Sequence, residues 1–91
     1  MLGDETRQKI LHRVRGLLTS IDPEVHLVDV VLDSTRQQLA LVMQKGEWPI
    51  VVGMTWLDYV SHRDEELRNR LDRGLKQRLE AARERQASEL E

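Results

Sequence analysis

The sequence predicts an α+β domain with the element order α-β-β-β-α, in which a three-stranded antiparallel meander carries two helices packed mainly on one face. Three observations lead there. Apolar residues near the start recur at helical spacing. Residues 25–54 hold three β-rich stretches joined by connections of a few residues, which suit antiparallel neighbours and are too short for parallel crossovers. A ladder of leucines four residues apart then restores a helical period.

The first helix begins at Asp4, Glu5 and Thr6, where acids and cap formers complement unsatisfied backbone amides. Ile10, Leu11, Val14, Leu17 and Leu18 share one stripe, and Pro23 stops the helix from continuing. The first strand covers 25–32, and Asp33, Ser34 and Thr35 make a turn. The second covers 37–44, with Leu39, Leu41 and Met43 on one face and Gln38, Ala40, Val42 and Gln44 on the other. Lys45, Gly46 and Glu47 turn the chain again. Pro49 opens a third strand over 50–53, at a position where a missing amide donor is harmless.

Thr55 followed by Asp58 resembles a helix-start box, and Trp56, Leu57, Tyr59 and Val60 fill one helical turn. Ser61 and Asp64 restart or extend the helix. Leu67, Leu71, Leu75 and Leu79 then repeat every four residues, a stripe that drifts about 40° per step around the axis. Glu66 with Arg70, and Asp72 with Lys76, are spaced for pairing along this helix. The chain reads as a single domain over 1–80 and a polar, frayed tail over 81–91.

A chain of 91 residues has room for one core. It buries only about 60–65% of the surface it exposes when unfolded, so its margin of stability is thin. The absence of cysteine excludes a disulfide framework and a thiolate metal site. No apolar run approaches membrane-spanning length, and the opening MLGDETRQKI lacks the apolar stretch of a secretion signal, so a cytoplasmic protein with no membrane partner is expected. The formal net charge of -2 does not favour nucleic acid as a general partner.

The central segment is apolar on both faces. Simple alternation places His26, Val28, Val30 and Leu32 on one face of the first strand and Val25, Leu27, Asp29 and Val31 on the other, with Asp29 the only charge. The second and third strands add Ala40, Val42 and Val51 to the secondary face. Antiparallel sheets with one wet face normally alternate cleanly. Each Leu or Val left in water forgoes roughly 1.5–3 kcal/mol of burial. A homodimer is therefore expected, in contact through Leu27, Val31, Val42 and Val51, with Trp48 at the rim.

No motif carries a recognisable chemistry. His62-Arg63-Asp64 followed by Asn69 fits the kinase catalytic-loop pattern letter for letter, but the glycine loop, strand lysine and metal-binding triplet that this chemistry needs are absent. The string reads instead as a helix start, with Asp64, Glu65 and Glu66 complementing the dipole. His12, His26 and His62 lack metal-ligand spacing. Neither a metal nor another cofactor is expected, and Asp29 calls for a cross-strand partner such as Arg36, Gln38 or Gln44.

The reading is a non-catalytic domain that works by association, with itself and with a protein partner. The alternative is a nucleic-acid accessory protein that uses the basic face of the first helix, Lys9, His12, Arg13 and Arg15, together with the arginines of the second.

Overall fold

The computed structural model describes residues 3–90, with side chains described for residues 3–85. The elements are α1 (Asp4–Ile21), β1 (Val25–Asp33), β2 (Gln38–Lys45), β3 (Trp48–Thr55), α2 (Trp56–Ser61) and α3 (Asp64–Leu90). The strands form one open antiparallel sheet in the order β1-β2-β3. Helix α1 packs on β1 and α3 on β3, and the two helices touch each other.

The core lies between the helices and one face of the sheet. Helix α1 supplies Ile10, Leu11, Val14 and Leu18, the stripe expected from its spacing. Helix α3 supplies Leu67, Leu71 and Leu75, and Leu79 packs against their edge. The sheet answers with Val25, Leu27 and Val30, with Leu39, Leu41 and Met43, and with Ile50, Val52 and Met54. Gly74 lets α3 approach β3 closely, since a Cβ there would stand 3.0 Å from a methyl of Val52.

The strand connections follow turn chemistry. The Asp33 carboxylate accepts the backbone N–H groups of Thr35 and Arg36 at 3.1 and 3.2 Å. Between β2 and β3, Lys45 pairs with Trp48 across the two-residue turn Gly46-Glu47. Gly46 has φ 57°, the left-handed value that a glycine adopts without penalty.

A single break divides the helical segment that follows β3. The Thr55 hydroxyl accepts the Asp58 N–H at 3.0 Å and caps α2. His62 is extended, so α2 ends there and α3 begins at Asp64, with Asp64, Glu65 and Glu66 in its first turn. The helix start read from His62-Arg63-Asp64 is thus in place. The described backbone of α3 continues as helix to Leu90, past the point where the sequence expects the ordered domain to end, and Glu91 lies outside the described residues.

Strand β1 departs from the expected alternation. Leu27 faces Met43 and Asp29 faces Val42, so Val28 is an extra residue, a β-bulge that reverses the parity of the strand. Before the bulge Val25 and Leu27 turn inward, and after it Val30 turns inward and Leu32 is half-buried. Both inward sets reach one core. Leu27, expected on the outer face, is 5% exposed and belongs to that core.

Candidate interaction surface

The face of the sheet away from the helices is built from cross-strand rows. Val31, Ala40 and Gly53 form one row, and Asp29, Val42 and Val51 form the next. His26, Gln44 and Pro49 bound these rows at one end, and Asp33, Gln38 and Thr55 at the other. The result is an apolar, small-residue centre between polar margins. Val31 is 52% exposed and Val51 49%, while Ala40 and Val42 are half-buried. Val28, on the bulge, is 55% exposed.

Of the residues expected to form this face, Val31, Val42 and Val51 are brought together. Leu27 is not, for the reason given by the bulge. Trp48 is not either. Strand alternation sets it on the side of Ile50, Val52 and Met54, where it stands beyond the core opposite Lys45. Ala40, expected on this face, is there, and Val28 was missed as a member of the surface.

Asp29 finds its partner outside the sheet. The Arg7 guanidinium of α1 bonds the Asp29 Oδ1 through two nitrogens, with Nε at 3.1 Å. The same oxygen accepts the Val30 N–H at 2.8 Å. The Arg7 bond, and after it the Val30 N–H, hold the Asp29 carboxyl below the usual carboxylate range. Arg36, Gln38 and Gln44 take no part.

These contacts occupy part of the outer edge of β1. The Val30 N–H is occupied by Asp29, and the Leu27 carbonyl accepts from Arg15 at 3.3 Å. A bulge and charged side chains are common devices against strand addition. Strand β3 forms the opposite edge. The Trp56 N–H donates to the Gln37 carbonyl at 2.8 Å, which fixes the phase of the β2–β3 ladder. In that phase Val51 and Gly53 direct both N–H and C=O outward. Pro49, which has no N–H, falls in the same phase. Among the described residues only the Gly53 carbonyl has a side-chain donor, Arg70 at 3.4 Å.

The basic residues of α1 do not form one face. Arg13 lies over the Tyr59 ring, 5.0 Å from its centroid. It donates to Asp64 Oδ1 and to the His62 carbonyl, each at 2.8 Å, and to the Tyr59 carbonyl at 3.3 Å. It therefore pins α1 to the α2–α3 junction. Arg15 reaches the β1 edge on the opposite flank. Lys9 pairs with Glu5, and His12 is exposed. Of the four residues of the nucleic-acid alternative, Lys9, Arg13 and Arg15 thus engage separate neighbours, and His12 stands exposed.

The concavities are shallow. An open depression of about 260 Å³ is lined by Ile21, Asp22, Lys45, Asp72, Leu75 and Lys76, among others. Its charges are largely matched internally, Lys45 with Asp22 at 2.7 Å and Lys76 with Asp72 at 3.2 Å. Among the described residues no group of three or more His, Asp or Glu is arranged to hold a metal ion. No described helix is long and apolar enough to cross a membrane. Comparison with known proteins adds no relative: no family model, no curated protein and no solved structure matches the chain.

Proposed function

We propose that this protein is a non-catalytic interaction domain that associates with a second copy of itself through the open face of the sheet. The observation that carries the reading is the row structure of that face, where Val31 and Val51 stand half in water beside Val42, Ala40 and Gly53. Apposed across a twofold axis, such a surface meets itself without like-charge repulsion at its centre. Of the two acids on this face, Asp29 is already paired with Arg7 and Asp33 lies at the margin. The small residues Ala40 and Gly53 leave the centre flat enough for two sheets to close at about 10 Å.

The size of the face sets the strength. Three strands about 4.8 Å apart and about 25 Å long present roughly 350 Å² of plane. A stable interface takes about 800 Å² from each partner. Association is therefore weak and concentration-dependent, in the micromolar range or above. Sedimentation equilibrium from low micromolar to millimolar concentration tests it. A mass that climbs towards the dimer supports the reading, and a monomer throughout the range ends it.

A further inference from the structure

The two edges of the sheet are treated differently. On β1 the outward amide of Val30 and the outward carbonyl of Leu27 are each occupied by a side chain. On β3 the outward N–H and C=O of Val51 and the outward N–H of Gly53 have no side-chain or cross-strand partner among the described residues.

A groove of about 340 Å³ runs along this open edge, lined by Pro49, Ile50, Val51 and Gly53 from β3 and by Arg78, Ala82 and Arg85 from α3. Its lining contains two guanidinium groups and no carboxylate. Neither Arg78 nor Arg85 has an acidic partner within ion-pair distance among the described residues. In a chain of formal net charge -2, this is a local concentration of positive charge with no carboxylate partner among the described residues, beside unpaired backbone.

We propose that the β3 edge binds an acidic peptide segment in extended form, which adds as a fourth strand and places its carboxylates on Arg78 and Arg85. The unpaired amides and carbonyls select an extended polypeptide, because main-chain pairing is what a strand edge offers a ligand. The arginines select acid, since a guanidinium fork matches a carboxylate in two hydrogen bonds. Spacing is compatible. Arg78 and Arg85 lie about 10 Å apart along the helix axis. Acidic residues at alternate positions of a strand recur about every 7 Å on one face. A second copy of β3 fits less well, because a twofold pairing of two such edges would set the arginines of one α3 against those of the other.

The test is a fluorescence-anisotropy titration with a fluorescein-labelled peptide of about eight residues, the length of β3, in which glutamate alternates with threonine. Protein is kept at nanomolar concentration, below the range of sheet-face association, so this result and the self-association result stand apart. Binding should exceed that of the lysine–threonine counterpart at least tenfold. Arg78→Glu with Arg85→Glu, both exposed side chains, should weaken it tenfold or more. Hydrogen exchange at the Val51 and Gly53 amides should slow in the complex. Equal binding of the lysine peptide, no loss in the double variant, or unchanged exchange on β3 would each overturn the proposal. So would equally tight binding of an oligothymidylate without protection of β3, which would assign the arginines to nucleic acid.

Discussion

Replacing Val31 and Val51 together by threonine is the sharpest perturbation of the open face. Threonine keeps the branched shape and the strand preference of valine, and both positions face water in the single chain, so the fold should stay within about 0.5 kcal/mol of its original stability. The dimer should not. Each valine is about half exposed, at 52% and 49%. Completing the burial of such a side chain contributes about half of the 1.5–3 kcal/mol of full transfer, or about 1 kcal/mol. A twofold interface contains each substitution twice, so four sites lose about 4 kcal/mol in all. At 1.4 kcal/mol per tenfold, that is close to a thousandfold in the dissociation constant.

Sedimentation equilibrium on the two proteins reads the change directly, with urea unfolding as the control for the fold. A micromolar dimer should become one with a dissociation constant of about a millimolar, monomeric through the tens of micromolar and dimerising only towards the top of the range. If the original chain dimerises and the double variant dimerises equally well, the copies meet through another surface and the argument from the valine rows is wrong. Exposed Leu57 and Val60 on α2 would then be the next apolar positions to substitute.

Two further outcomes concern the fold itself. Arg13→Ala should destabilise the chain by about 2 kcal/mol in urea unfolding, because it removes the stack on Tyr59 and leaves the His62 and Tyr59 carbonyls without their donor; Asp64→Asn, which touches only the exposed end of the same network, should cost under about 1 kcal/mol. Stability should also fall in acid. The Lys45 bond and the Glu24 N–H hold the Asp22 carboxyl below its ordinary range, and the Arg7 bond and the Val30 N–H do the same for Asp29. Folded values below the unfolded ones give stability that is complete above about pH 4 and is lost as pH drops through the folded values. The urea midpoint should therefore decline below about pH 4, and Asp22→Asn with Asp29→Asn should flatten that decline.

The helices and strands were legible because each follows one period. Ile10, Leu11, Val14 and Leu18 announce a helix face, and Leu39, Leu41 and Met43 announce a strand face, without any tertiary information. The bulge at Val28 was not legible. Nothing in VHLVDVVLD distinguishes a strand with two apolar faces from a strand that changes parity half-way, since both scatter valines over odd and even positions. That ambiguity is why Leu27 was expected in the open. The partner of Asp29 was hidden for another reason: Arg7 lies on a different element, and the sequence alone does not give its approach. The dispersal of Arg13 and Arg15 could have been read, because residues two apart on a helix point about 200° from each other. The pairing expected between Glu66 and Arg70 gives way to the bond from Arg70 to the Gly53 carbonyl, a choice made by the closeness of α3 to β3.

The bulge ties core, edge and face together. By reversing parity it sends both Leu27 and Val30 inward and leaves Asp29 at the rim, where Arg7 uses it to stopper the Val30 amide. Partial occupation of the β1 edge thus follows from the same bulge that turns Leu27 and Val30 into the core, while the sheet face and the β3 edge stay open. Val51 belongs to both, its side chain to the face and its backbone to the edge. A peptide added beside β3 would widen the sheet by one strand spacing, about 4.8 Å, and enlarge the roughly 350 Å² plane by about a third. Strand addition should then strengthen association of the faces, and by thermodynamic reciprocity the dimer should bind peptide more tightly than the monomer by the same factor. Repeating the sedimentation experiment at saturating peptide measures that factor. A dimer constant that does not change, with the peptide demonstrably bound, would show that the two surfaces act independently despite sharing Val51.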